Sequence, residues 1–156
     1  MHLPELILRY EAGTNAVLDA LGDYKKKNLD SKHSGGWSAR QVVHHLADSE
    51  TNSYIRLRRL VGEEEGTLLS GYDEGAWALN ETLGYELLPI EPSLELFIAV
   101  RAASLVTVRR LSDADLKKTG VHSEAGHYSV ESWFNSYVAH PFDHASQIER
   151  AFKHQL

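Results

Sequence analysis

Four of the chain's nine histidines stand in two short segments, and imidazole is the side chain that most often binds metal ions in proteins. In one segment His140 and His144 are four residues apart. On a helix this spacing places one imidazole a turn above the other, so both can reach one ion. The same spacing also occurs in helices that bind no metal. Taken alone, it does not separate a metal site from two ordinary surface or core histidines.

The other segment holds the adjacent pair His44 and His45, within Trp37–Glu50. One imidazole from here would complete a set of three histidines with an open coordination position, which is typical of catalytic rather than structural zinc. Helical periodicity places the two side chains on opposite flanks of the apolar face, so it does not choose between them. The spacing therefore leaves open whether the two segments share a site.

Apolar residues recur at three- and four-residue intervals in four stretches, which predicts four amphipathic helices. Ser38 and Gln41 fit a capping box at the start of the second stretch, and Pro92 precedes the start of the third. The segment Y-D-E-G-A-W-A-L-N can add a short helix between them. The predicted helices are Pro4 to about Lys26, Ser38 to about Val61, Ser93 to about Leu111, and about Ser129 nearly to the end.

Two long connections separate the last three of these helices. About thirty residues rich in glycine follow the second helix, and residues 112–128 follow the third. Neither contains a sustained strand pattern. With 156 residues, 42% of them hydrophobic, the chain is long enough for one domain with its own core. We therefore predict a single all-α domain over residues 1–156: a four-helix bundle with long connections between helices two and three and between helices three and four.

Composition narrows the range of functions. The chain has no cysteine, which excludes a disulfide framework, a thiolate metal site and a cysteine nucleophile. A net charge of −6 disfavours nucleic acid and anionic membrane surfaces as partners. The first residues do not match a signal peptide, and no window has the roughly 18 apolar residues of a membrane span. We expect a cytoplasmic protein that acts on a small molecule.

Several motifs, in order along the chain, resemble the DinB superfamily and its YfiT-like branch in particular. They are W-S-A-R-Q-V-V-H-H-L-A-D-S-E (residues 37–50), Y-D-E-G-A-W (72–77), P-S-L-E-L (92–96), S-E-A-G-H-Y-S (123–129) and H-x-x-x-H-x-x-Q-I (140–148). The resemblance implies an up-down-down-up four-helix bundle, frequent homodimers and a divalent metal, either zinc or nickel. The implied ligands are His45, His140 and His144. In the family pattern the first ligand stands eight residues after the tryptophan, which selects His45 over His44.

Members of the family are described as metal-dependent hydrolases, and some relatives use a low-molecular-weight thiol as co-substrate. A metal held by three neutral histidines can activate water or a thiol against a small electrophile, as a hydrolase or an S-transferase does. Asp48, one helical turn beyond His45, is our candidate for the general base, and Gln147 can orient His144. The alternative function is a non-catalytic metal- or ligand-binding bundle in stress response or sensing.

One residue departs from the family pattern. Pro141 directly follows the ligand position His140, where relatives commonly have a small or polar residue. A proline inside a helix removes one backbone hydrogen bond and crowds the carbonyl four residues before it, here that of Tyr137. We expect a kink that tilts His140 relative to His144 and so weakens or displaces the metal site.

Overall fold

A computed structural model describes residues 2–156, and helices dominate it. Four long helices form the bundle: α1 (Leu3–Leu21), α2 (Ala39–Gly62), α4 (Glu91–Val108) and α5 (Val130–Phe152). A short helix, α3 (Glu74–Leu79), lies in the connection after α2, where the sequence allows one. This is the all-α four-helix bundle that the sequence predicts. No helix within residues 2–156 combines the length and the apolar character needed to cross a membrane.

Helix boundaries follow local chemistry. At the start of α2, the Gln41 backbone N–H donates to Ser38 Oγ and the Ser38 N–H donates to Gln41 Oε1, which is the predicted capping box. The first helix ends earlier than predicted, at Leu21 rather than near Lys26. Gly22 follows it with φ of +55°, a left-handed conformation that glycine adopts easily, and the chain then makes a 3₁₀ turn at Tyr24–Lys26.

Two apolar clusters fill the ends of the bundle, and a polar layer lies between them. On α2, Ala39, Val42, Val43 and Leu46 belong to one cluster and Leu57 and Leu60 to the other, while the buried Ser49, Glu50 and Ser53 fall between. On α4 the intervening residues are Arg101 and Ser104. The candidate site lies in this middle layer, where polar groups must pair with one another.

The two clusters also fix the direction of each helix. Along the chain, α1 and α5 pass from the cluster that contains Leu57 to the cluster that contains Val43, whereas α2 and α4 pass in the opposite direction. The order is therefore up-down-down-up, as the family resemblance implies. Helices α2 and α4 run parallel, so the chain that leaves the end of α2 must travel back along the whole bundle before α4 can begin. This accounts for the long connection after α2.

A small sheet joins the two long connections. Strand β1 (Thr67–Leu69) pairs in parallel with β2 (Thr119–His122), and β2 pairs antiparallel with β3 (Gly126–Ser129). The sequence did not predict these strands, because segments of three or four residues are too short to show the alternation of a strand. The sheet fixes the chain directly before residues 70–73, which approach the polar layer.

Candidate metal centre

Three histidines meet in the polar layer. The distance from His140 Nε2 is 3.4 Å to His45 Nε2 and 3.1 Å to His144 Nε2. His45 comes from α2, and the other two come from successive turns of α5. One nitrogen from each ring lies within 4.8 Å of the others. The structure thus brings the three residues named by the family resemblance to a single point.

The donor set fits a divalent cation. Three nitrogens that point at one another repel unless a proton or a cation lies between them. Zinc–nitrogen bonds of about 2.0–2.1 Å in tetrahedral geometry place neighbouring nitrogens about 3.3 Å apart. The observed 3.1 and 3.4 Å lie close to that separation. The three histidines, termed the triad below, can therefore hold one ion and leave a coordination position open.

The surroundings keep two triad rings in the neutral form that ligates metals. Burial, together with the charges that the other two rings would carry, lowers the pKa of His45 to about 3. Burial and the neighbouring His140 likewise lower the pKa of His144 to about 4. The His140 side chain remains 19% exposed, so the triad is accessible from the surface. At neutral pH a metal would not have to displace protons from His45 or His144.

Polar side chains lie behind the rings of His144 and His140, on the side away from the centre of the triad. His144 Nδ1 donates to Gln147 Oε1 at 2.7 Å, as the sequence suggested, and this leaves the Nε2 lone pair of His144 free. His140 Nδ1 lies 3.6 Å from Glu50 Oε1. Neither that nitrogen nor Glu50 Oε2 has a hydrogen-bond partner within the described part of the chain. Glu50 is thus the carboxylate that faces His140 Nδ1.

Glu50 is fully buried and paired with a buried arginine. Arg101 Nη1 donates to Glu50 Oε1 at 3.0 Å, and both side chains are at most 1% exposed. Sequence reasoning missed this pair, although a signal was present. Glu50 falls in register with the apolar Val43, Leu46 and Leu57 of α2, and Arg101 falls in register with Leu94, Phe97 and Val108 of α4. Opposite charges on two core-facing stripes predict a buried ion pair.

Pro141 does not separate the two ligand positions on α5. The helix continues from Val130 to Phe152 through the proline, and the Nε2 atoms of His140 and His144 remain 3.1 Å apart. The proline ring packs against Gly13 of α1, where no side chain obstructs it. The displacement of His140 relative to His144 that we expected from the sequence does not occur, because α1 has a glycine where the proline ring packs.

His44 points away from the triad and holds the chain before α4. Its Nε2–H donates to the Leu88 carbonyl at 3.1 Å, so its Nδ1 must accept from the Ser93 hydroxyl at 2.7 Å. Burial lowers the pKa of His44 and so favours this neutral form. Of the two adjacent histidines, only His45 reaches the triad.

Asp48 lies one helical turn beyond His45 and outside the triad. Its carboxylate accepts a hydrogen bond from the Tyr85 hydroxyl, and both residues line a cleft together with His44 and Ser93. Burial raises the pKa of Asp48, and the bond from Tyr85 opposes that rise. The Tyr85 ring packs against Trp37, which in turn packs against His45. Asp48 makes no hydrogen bond to the triad within residues 2–156, so its catalytic role stays a prediction.

Comparisons with known proteins agree with the motifs. A family model described as the DinB superfamily matches residues 9–148. A protein of Oceanobacillus iheyensis named "putative metal-dependent hydrolase" is 40% identical over 127 residues, which cover 81% of this chain and 72% of that protein. A Bacillus mycoides protein with the same description is 34% identical over 135 residues, covering 86% of this chain and 76% of the relative.

A solved structure shares the fold. YfiT from Bacillus subtilis superposes with a TM-score of 0.83 at 28% sequence identity, over 97% of this chain and 86% of that one. It is described as "a probable metal-dependent hydrolase with an unusual four-helix bundle topology".

Proposed function

The chain belongs to the DinB superfamily, and we propose that it is a metal-dependent hydrolase in which His45, His140 and His144 hold a divalent ion. The observation that carries the proposal is the convergence of three ring nitrogens, at 3.1 and 3.4 Å, in a layer where His45 and His144 are neutral at pH 7. Three imidazoles suit zinc and nickel alike. Relatives named as metal-dependent hydrolases support the reaction class.

A divalent ion bound by three neutral imidazoles supplies Lewis acidity, which lowers the pKa of a bound water or thiol and polarises a carbonyl. The protein's own contribution is to orient the three rings. Gln147 accepts a hydrogen bond from the far nitrogen of His144, and Glu50 faces the far nitrogen of His140. Trp37 packs edge-on against His45, with ring centroids 5.3 Å apart. These partners would hold the three donors in place before a metal arrives.

Asp48 is the proposed general base. Its Oδ2 is taken by the Tyr85 hydroxyl, whereas Oδ1 makes no hydrogen bond within residues 2–156. A half-buried carboxylate with a raised pKa, one turn from His45, is suited to take a proton from an attacking water or thiol. We propose a small-molecule substrate with a reactive electrophilic carbon, and a low-molecular-weight thiol as co-substrate where the reaction is an S-transfer. We also propose a homodimer, which sedimentation would test.

Metal content separates this function from its alternatives. Wild-type protein should bind about one equivalent of zinc or nickel by mass spectrometry, and His45→Ala and His140→Ala should bind none. The matched control is His44→Ala, which removes an adjacent imidazole outside the triad and should keep its metal. If wild-type protein takes up neither metal on titration, the proposal is wrong.

Turnover is tested on the metal-loaded protein. A panel of esters, amides and thiol–electrophile pairs should reveal metal-dependent activity that His45→Ala loses. Hydrolysis without added thiol favours a hydrolase, and activity only with thiol favours an S-transferase. Stoichiometric metal without turnover on any member would favour the non-catalytic binding bundle.

A further inference from the structure

A surface cleft lies between α2 and the chain that leads into α4. His44 and Asp48 line it from α2, and Tyr85 and Ser93 line it from the connection before α4 and from the start of α4. Its volume of about 280 Å³ is close to the lower end of the range for small-molecule sites, roughly 300–1,000 Å³. The triad residues do not line this cleft. The rest of its walls are apolar side chains: Leu83, Leu88, Pro89 and Pro92.

One carboxylate oxygen in the cleft has no partner. The His44 ring bonds the Leu88 carbonyl and the Ser93 hydroxyl, and the Tyr85 hydroxyl donates to Asp48 Oδ2. The other oxygen, Asp48 Oδ1, makes no hydrogen bond within residues 2–156. It is not one of the buried unpaired atoms in that part of the chain, so solvent reaches it. This oxygen can therefore accept a hydrogen bond from a molecule in the cleft.

The protein supplies no positive partner for Asp48. No lysine or arginine is among the described residues that line the cleft. Arg40 lies one turn before His44, but its Nε donates to Asp30 Oδ1 at 2.7 Å and its Nη1 donates to the Leu88 carbonyl at 2.9 Å. Asp48 is half-buried, and burial disfavours its charge. A cation bound in the cleft would offset that cost.

We propose that this cleft binds a small organic cation, an ammonium group that carries an apolar substituent. The ammonium donates a charge-assisted hydrogen bond to Asp48 Oδ1, and the substituent packs against the leucine and proline side chains. The carboxylate and the net charge of −6 both disfavour an anion here. A divalent metal ion fits less well, because such ions take several oxygen ligands and Asp48 offers one free oxygen.

This inference goes beyond the proposed function, because binding in the cleft requires neither the triad nor a metal. It does have a consequence for that function. Asp48 is the proposed general base, and an ammonium group paired with it makes the carboxylate a weaker proton acceptor. Inhibition of turnover by small amines would follow from the general-base role of Asp48, whereas amine binding itself does not depend on that role.

A ligand series tests the preference for positive charge on wild-type protein. Cyclohexylammonium, cyclohexanol and cyclohexanecarboxylate share one ring and differ in charge. In NMR titrations of chelator-treated protein at pH 7, the ammonium should bind at least ten-fold more tightly than the alcohol, and the carboxylate should not bind. Methyl resonances of Leu83 and Leu88 should shift, whereas those of the exposed Leu8 on α1 should not. Equal binding of ammonium and alcohol, no binding of the ammonium, or shifts only outside the cleft would overturn the proposal.

Variants test the assignment to Asp48. Asp48→Asn keeps the side-chain shape without the charge and should bind cyclohexylammonium at least ten-fold more weakly than wild type. Asp143→Asn removes an exposed carboxylate of α5 and should match wild type. Tyr85→Phe loses the bond to Asp48 but keeps the charge, so it should still bind the amine. Equal affinities of Asp48→Asn and wild type would overturn the proposal. Because the protein in these titrations holds no metal, neither result bears on the triad.

Discussion

Arg101 donates a hydrogen bond of 3.0 Å to the backbone carbonyl of Tyr137. This carbonyl stands four residues before Pro141 and would pair with the residue 141 N–H if proline had one. The same Nη1 atom donates to Glu50, which faces His140. One guanidinium therefore satisfies the carbonyl that the proline leaves free and holds the carboxylate that faces His140 Nδ1. Helix α5 tolerates its proline because α4 supplies the missing donor.

Removing this guanidinium should be costly. Arg101→Met leaves the Glu50 charge buried without its partner, and breaking a buried ion pair typically costs about 3–5 kcal/mol of unfolding free energy. Urea unfolding would measure the loss. Arg101→Met combined with Glu50→Gln should lose less than Arg101→Met alone, because the second change removes the stranded charge. A double variant that is less stable than the single one would contradict this account of the pair.

Gly13 should tolerate no side chain while Pro141 is present. A Cβ at residue 13 would overlap Pro141 Cγ and lie 3.1 Å from Arg101 Nη2. We expect Gly13→Ala to lower the unfolding free energy by about 1–3 kcal/mol, the usual cost of overpacking. Gly62→Ala is the control, because an added Cβ there meets nothing within 4 Å, and it should be neutral or slightly stabilising.

The cause of that loss can be isolated. In a Pro141→Ala background the proline ring is gone, so Gly13→Ala should cost much less, or even stabilise α1 through the better helix propensity of alanine. Chemical unfolding of the four proteins gives the coupling energy between the two positions. Additive effects would mean that the overlap with Pro141 is not what excludes a side chain at residue 13.

Features repeated along one helix were predictable from the sequence. Local spacing predicts the four long helices and the Ser38 capping box. It also predicts that the imidazoles of His140 and His144 lie on the same side of one helix. The sequence could not choose His45 over His44 by periodicity, because both flank the apolar face of α2. Only the packing of α2 against α5 brings His45 inward, while the Leu88 carbonyl and Ser93 hold His44 away.

Features built from distant segments were missed. Glu50 and Arg101 are 51 residues apart, and the position of each on a core-facing stripe gains meaning only when the two helices are considered together. The separation of His140 from His144 that we expected from Pro141 does not occur, because Gly13 and Arg101 on other helices accommodate the proline. Its effect on metal affinity stays a prediction. The small sheet was missed because its strands have only three or four residues. Tertiary context overrides local propensity at all these positions.

The substitution Glu50→Gln should weaken metal binding, and not only lower the stability of the fold. Glu50→Gln keeps the side-chain shape but weakens the acceptor facing His140 Nδ1. Changes in such outer partners typically reduce metal affinity about 10–100-fold, and competition with a chelator would measure this loss. Asp143→Asn is a matched control, since this exposed carboxylate lies on the same helix turn as the ligands. Equal zinc affinities of Glu50→Gln and wild type would exclude an orienting role for Glu50.

The metal-free protein should lose stability as the pH falls below the ordinary histidine range. The pKa is about 3 for His45 and about 4 for His144 in the folded protein, against about 6.5 in the unfolded chain. Between these values the unfolded chain binds more protons, so the free energy of unfolding rises with pH. Each histidine contributes a slope of at most about 1.4 kcal/mol per pH unit, and both contributions level off above about pH 7.

Urea unfolding from pH 5 to 7.5, with a chelator present, would test this prediction above the range in which most carboxylates titrate. His45→Gln should flatten the profile because one of the histidines with a lowered pKa is gone, whereas His127→Gln, at an exposed hairpin position, should keep the wild-type slope. A wild-type profile that is flat over this range would mean that the triad is open to water in solution. In that case protonation, and not only chelation, would compete with metal binding near neutral pH.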